Sequence, residues 1–265
     1  MTCACWAQKL LCVCLLLLLL LSCRLPDETL SSGSVMVATV DPATNDLSNQ
    51  IVSTLTGFSG TRDPVGVVVK LGVAFVANRA AACGIIRCTN AATMTGCSCA
   101  LTSAQNAQNV RGITMSPDGS RLYFTSETGT LGAFGIVTCS LTGTTIGTCT
   151  VRNSGTILSG IYSTGSNVYV VARVVAVPNH VKVWVCDPLD PNPATCQTSG
   201  HVFNAGLIGN DPWSVSLFDS MAFVPDNQNI RRCSSTNPVD SCTGTGLNIS
   251  PILNGASSIF ILPRL

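Results

Sequence analysis

Residues 139–149 read CSLTGTTIGTC, two cysteines facing each other across a run of threonine and glycine. Threonine favours extended backbone and glycine supplies a turn, so the stretch predicts a β-hairpin with a cysteine on each strand. The arrangement returns in CTNAATMTGC (88–97), VCDPLDPNPATC (185–196) and CSSTNPVDSC (233–242). The first cysteines of these pairs, Cys88, Cys139, Cys186 and Cys233, are 51, 47 and 47 residues apart. A period in that range marks a chain built from repeated supersecondary units.

A second marker, independent of cysteine, keeps the same beat. Ala74-Phe75-Val76, Leu122-Tyr123-Phe124, Val168-Tyr169-Val170, Ala222-Phe223-Val224 and Ile259-Phe260-Ile261 each place an aromatic between apolar residues. Upstream of each lies a short apolar run: VGVVV (65–69), GITMS (112–116), GIYST (160–164), WSVSL (213–217) and PILNG (251–255). Each unit therefore reads as apolar strand, turn, aromatic strand, loop, first cysteine strand, turn, second cysteine strand. Four-stranded units at this period are the pattern of an all-β fold, the β-propeller.

The two ends of the chain complement each other. The fifth aromatic strand is followed by only a few residues, so the last unit lacks its outer strands. VMVATVDPATNDLSNQ (35–50) aligns without gaps on VKVWVCDPLDPNPATC (181–196), with Val40 and Gln50 in the cysteine positions. The expectation is a five-bladed β-propeller of four-stranded antiparallel blades, closed by N- and C-terminal strands that share one blade. Its parts are a signal peptide over 1–23, a linker over 24–34 and the propeller over 35–265. The blades span 61–105, 109–153, 157–203 and 209–246, and the closing blade combines outer strands from 35–55 with inner strands from 248–265. Such closure removes the open edges of a linear array.

The cysteines then read as staples. The outer two strands of a blade lie at the rim, where burial is poorest, and a disulfide closing about ten residues there stabilises by about 2.5 kcal/mol. Expected pairs are Cys88–Cys97, Cys139–Cys149, Cys186–Cys196 and Cys233–Cys242. Cys83 and Cys99 remain. They pair with each other, or Cys99 takes the place of Cys97, or Cys97-Ser-Cys99 offers thiolates to a metal. The last lacks the histidine or second cysteine pair of a zinc site.

The N-terminus carries one Lys and then a run from Leu10 to Ser22 that is apolar except at its end. That is short for a membrane span and suited to a secretory signal. Leu20-Leu21-Ser22-Cys23 also resembles a lipobox, in which Cys23 would be lipidated. The expectation is secretion, to the cell exterior or periplasm, with no membrane span once the signal is removed and a lipid anchor if Cys23 is modified. Disulfides persist in such compartments. Only 10% of residues are charged and the net charge is +1, so no nucleic-acid footprint is present.

GITMSPDGSRLYFTS (112–126) and DPVGVVVKLGVAFVAN (63–78) resemble the repeats of the NHL and YVTN/lactonase-type propellers, which carry a glycine-led apolar strand, a Ser-Pro-Asp-Gly turn and an aromatic strand. The resemblance implies four-stranded propeller blades. It does not imply lactonase activity: relatives of this shape bind proteins, sugars or nothing known, and the lactonase pattern has more blades than are counted here.

Propeller ligands are usually met at one mouth of the central channel, by loops leading into the innermost strands. Here these loops carry Arg62, Asp63, Arg111, Asp211 and Trp213. Asp63 and Asp211 occupy equivalent positions, each before a proline, and with Arg62 and Arg111 they would hold a polar ligand or a divalent cation. The competing reading is a turn, in which aspartate before proline bonds to nearby backbone. Trp213 would stack a sugar or fill the space between blades, and Trp184 is the other tryptophan of the repeats. No catalytic residue is assigned. His180 and His201, the only histidines, lie in rim loops, and no nucleophile elbow, His-Glu-x-x-His or phosphate loop is present. The expectation is a monomeric binding or interaction module with no resident cofactor and with a glycan, surface protein or small polar ligand as partner. The alternatives are a lactonase-like, cation-dependent hydrolase using Asp63 and Asp211, and a structural component of an envelope or cell wall.

Overall fold

The computed structural model describes residues 34–40, 47–80, 82–127, 134–174, 180–204, 215–218, 221–226 and 229–248. Among them there is no α-helix, only a single 3-10 turn at Ser103–Gln105. A two-stranded antiparallel pair comes first, β1 (Ser34–Val40) and β2 (Leu47–Thr54). Four antiparallel sheets follow, each meandering from its first strand to its last. Blade 1 is β3 (Pro64–Lys70), β4 (Val73–Asn78), β5 (Cys83–Asn90) and β6 (Thr95–Thr102). Blade 2 is β7 (Gln108–Met115), β8 (Arg121–Glu127), β9 (Phe134–Thr142) and β10 (Thr145–Asn153). Blade 3 is β11 (Leu158–Ser163), β12 (Val168–Arg173) and β13 (His180–Cys186), with β14 (Gln197–Thr198) and β15 (Phe203–Asn204) both paired to β13. Blade 4 is β16 (Ser216–Phe218), β17 (Met221–Asp226), β18 (Asn229–Thr236) and β19 (Val239–Asn248).

The register shows that these are repeats of one unit. The first cysteine of each pair stands opposite the residue that opens the aromatic triplet: Cys88 opposite Ala74, Cys139 opposite Leu122, Cys186 opposite Val168 and Cys233 opposite Ala222. Because side chains alternate along a strand, this shared register sends each triplet to both faces of its sheet. Phe75 and Ala77 of blade 1 pack with Leu122, Phe124 and Ile113 of blade 2. Tyr123, from the other face of blade 2, packs with Val168 and Val170 of blade 3. Tyr169 and Val171, from the other face of blade 3, pack with Ala222 and Val224 of blade 4. The sheets of blades 2 and 3 are thus each a layer between two apolar cores. Full burial of each aromatic in those cores contributes about 1.5–3 kcal/mol. The remaining face of blade 1, with Ala74, Val76 and Ile86, is covered by Leu55 and Phe58, which follow β2.

Five disulfides close the outer hairpins: Cys88–Cys97, Cys139–Cys149, Cys186–Cys196 and Cys233–Cys242, with Cys83–Cys99 as a second staple in blade 1. In each of the four repeated pairs the cysteine on the third strand is buried, Cys139, Cys186 and Cys233 in the cores between successive blades and Cys88 beneath Leu55 and Phe58. Blade 3 departs from the expected unit. Its fourth strand is split into two short pieces, and Cys196 precedes them in a loop rather than lying in a strand. The cause is in the intervening residues, where Pro188, Pro191 and Pro193 have no N–H to give to a ladder. The C-terminal residues expected to complete the closing blade, and the leader over 1–23, lie outside the described residues.

Candidate functional site

At the loop leading into β3 the fixed point is Asn78, fully buried at the end of β4. Its carboxamide oxygen accepts the backbone N–H of Asp63 at 2.6 Å, and its nitrogen donates to the carbonyls of Thr61 and Cys83 at 3.1 and 2.7 Å. A buried amide with all these bonds made is a clamp, since leaving any group unmet would cost about 1–3 kcal/mol. The Asp63 carboxylate is taken by Arg79, with Nε 2.9 Å from Oδ2 and Nη2 3.3 Å from Oδ1. Both side chains are more than two-fifths exposed, so the pair orients the loop and adds little stability. Arg62 donates from Nη2 to the Phe58 carbonyl.

In blade 2, Arg111 is half-buried on β7, its guanidinium 4.7 Å from the centroid of the Phe134 ring. Beside it on the same hairpin Asn109 donates to Glu127 Oε2 at 3.0 Å, and Glu127 is 9% exposed. Asp63 is thus engaged by Arg79, Arg62 by the Phe58 carbonyl and Arg111 by the Phe134 ring. Asp211 and Trp213 lie outside the described residues. Trp184, half-buried on β13, packs on the core between blades 2 and 3. His201 sits edge-on to Phe203 at 4.7 Å, and its backbone N–H donates to Asp240 of blade 4 at 3.0 Å. Among the described residues no three His, Cys, Asp or Glu side chains converge as a metal site.

A cavity among the described residues lies where blade 3 opens. A groove of about 520 Å³ runs between the β11–β12 turn, the loop after β13 and Asn237 on the outer turn of blade 4. The loop is held from blade 2. The Pro188 carbonyl accepts Arg121 Nη1 at 2.8 Å and the Tyr123 hydroxyl at 2.9 Å, and Arg152 forms a two-pronged ion pair with Asp190 at 2.7 and 3.2 Å. Burial pushes the Tyr123 phenol above its ordinary pKa, against the pull of Arg121, so it remains a donor. Within the loop the Asp187 carboxylate accepts the Leu189 N–H at 2.7 Å and the Asn192 carboxamide accepts the Ala194 N–H at 3.1 Å. Sequence reading passed over Asn78, Glu127 and this groove. The three prolines were its visible signal.

No family model and no curated protein matches the sequence. Solved structures do. The Neurospora crassa Pan2 WD40 domain is 8% identical, with a TM-score of 0.51 over 91% of this chain and 72% of its own. An α-L-arabinofuranosidase from Clostridium thermocellum is 11% identical, with a TM-score of 0.53 over 81% and 84%. A puromycin-hydrolysing peptidase of Mycobacterium tuberculosis is 10% identical with the same score, and this chain spans only 35% of it. At such identities the likeness is one of fold. WD40 repeats form propellers, and together with the repeated register this makes the chain a disulfide-stabilised β-propeller scaffold.

Proposed function

We propose that the protein is an exported five-bladed propeller serving as a binding or interaction module for a glycan, a surface protein or a small polar ligand. The observation that carries this is the rigidity of the frame. Each described blade is stapled across its outer strands, and successive blades are cross-linked by polar contacts: Arg87 to the Thr144 carbonyl, Arg121 to the Pro188 carbonyl, and the His201 N–H to Asp240. Loops on such a frame lose little freedom when they bind, which is how preorganisation raises affinity. Five disulfides fit an oxidising compartment, and among the described residues no helix is long and apolar enough to cross a membrane. The fifth blade would combine the β1–β2 pair with inner strands from 248–265, the arrangement supported by the gap-free match of 35–50 to 181–196 and by Leu55 and Phe58 capping blade 1. The repeat type would be that of the NHL and YVTN propellers.

The hydrolase alternative needs Asp63 to exchange Arg79 for a cation. The test is a thermal-shift screen of the mature chain, from about Arg24 onward, against neutral and anionic glycans and divalent cations, with lactone turnover followed in parallel. A shift with a glycan and no cation-dependent turnover is the expected result. Turnover that follows the cation would replace the binding module by the enzyme.

A further inference from the structure

We propose that the groove of blade 3 is a binding site for a neutral, hydroxyl-rich ligand, a sugar unit of an oligosaccharide. This rests on the reading of the chain as a binding module and moves its contact surface from the channel mouth to the rim. Three independent observations converge on it. The groove lies where the repeat is broken: blades 1, 2 and 4 continue their outer strands through this position, while blade 3 replaces the strand with the 187–196 loop. A scaffold that departs from its own repeat at one loop is presenting that loop for use.

The loop is also fixed before any ligand arrives. Arg121, Tyr123 and Arg152 of the preceding blade hold it, and the Cys186–Cys196 disulfide closes its base. Finally, the chemistry of the walls is selective. Among the described residues the side chains of Ser166, Gln197 and Asn237 make no hydrogen bonds within the protein, and Asp187 uses only one carboxylate oxygen, toward Leu189. Amides that both donate and accept, beside a carboxylate that accepts, match adjacent hydroxyls. Leu189, 72% exposed at the lip, offers an apolar surface to the C–H face of a ring. Among the described residues no Lys or Arg lines the groove, and Asp187 repels anions, so sulfated and phosphorylated ligands are disfavoured. One carboxylate is too few for a calcium cage.

The experiment uses the mature chain on an array of neutral oligosaccharides (gluco-, manno-, xylo- and galacto-series) with heparin fragments alongside. Asp187→Ala and Asn237→Ala are compared with the unaltered chain. Both positions are exposed, and disulfide mapping verifies that each variant folds. Retention of a neutral oligosaccharide, weakened at least tenfold by Asp187→Ala and about fivefold by Asn237→Ala, is expected. The proposal is overturned by a neutral ligand that both variants bind as well as the unaltered chain, by a preference for heparin, or by no retention of any neutral sugar. A sugar lost in Arg62→Ala but kept in Asp187→Ala would overturn the groove while leaving the binding module at the mouth. Cation-dependent lactone turnover with no sugar bound would remove both.

Discussion

Blades 2 and 3 share one register over their inner three strands and part company at the fourth. In blade 2 the chain turns at Gly143-Thr144, where Gly143 takes a φ of +59° that glycine tolerates, and β10 runs nine residues back along β9. In blade 3 the chain leaves Cys186 into three prolines and regains the ladder for only two residues at a time. The disulfides span the same sequence separation of 10 in both. The difference teaches that the staple and the fourth strand are separable. A blade can give up most of its outer ladder to a loop if a covalent link and the neighbouring blade hold that loop in place.

The largest effect is expected where the two blades touch. Gly112 on β7 lies against β11, and a Cβ there would come within 2.7 Å of the Ser159 carbonyl oxygen and 3.1 Å of the Gly160 Cα. Both are backbone atoms, so neither rotates away. Gly112→Ala should cost about 3 kcal/mol by forcing the blades apart, seen as a Tm lower by about 6–12 °C. A Tm within a degree of the unaltered chain would show that blades 2 and 3 do not meet there.

Removing the staples separates the blades more directly. Cys139→Ala with Cys149→Ala, and Cys186→Ala with Cys196→Ala, should each cost about 2.5 kcal/mol from loop-closure entropy. Their local consequences should differ. The blade 2 hairpin keeps its ladder, while the 187–196 loop loses its base and becomes open to protease. Limited proteolysis followed by mass spectrometry reads this difference. Equal resistance in the two variants would mean that Arg121, Tyr123 and Arg152 suffice to hold the loop.

One of those contacts can be removed singly. Tyr123→Phe deletes the hydroxyl on the Pro188 carbonyl but leaves Arg121 on the same oxygen. The expected loss is about 1 kcal/mol in chemical denaturation, together with faster cleavage of the 187–196 loop. Unchanged cleavage would assign the loop's order to the Arg152–Asp190 pair, exposed as it is.

Much of this architecture was legible in the sequence because it rests on local alternation and on cysteine. The triplets around Phe75, Tyr123, Tyr169 and Phe223 fixed the second strands, and the cysteines fixed the third strands one register later. Chain order alone then paired the hairpins. The sites were less legible. Asp63 before Pro64 signals a turn, but its partner Arg79 lies across a hairpin, and nothing local marks Asn78 as the residue that pins the loop. Likewise, no local pattern announces that Arg62 bonds to the Phe58 carbonyl or that Arg111 stacks on the Phe134 ring. The groove was hidden because repetition led the reading to treat Cys186–Cys196 as one more hairpin.

The smallest expected effect contrasts the inner turns of the same two blades. In blade 2, Asp118 accepts the Ser116 hydroxyl at 2.6 Å and the Ser120 N–H and hydroxyl, each at 2.9 Å. Those bonds, the Ser116 hydroxyl foremost, favour the charged carboxylate and hold its pKa at about 2. In blade 3 the corresponding turn is closed by neutral groups, with Thr164 Oγ1 accepting the Asn167 N–H at 3.2 Å. A carboxylate whose folded pKa lies below its unfolded value adds stability above that unfolded value and loses it as pH falls through the folded one. The blade 2 turn should therefore hold from neutral pH to well below 3.8, then loosen as pH falls through about 2, while the blade 3 turn stays unchanged. Amide NMR of Ser120 and Arg121 against Gly165 and Asn167 follows the two turns in one titration. A Ser120 midpoint near 3.8 would mean that the serines do not clamp the carboxylate, and a parallel shift at Asn167 would mean that acid is unfolding the domain rather than releasing one turn. Because Asp118 is fully exposed, the signature to look for is the difference between the turns, with the global Tm at neutral pH unmoved by Asp118→Asn.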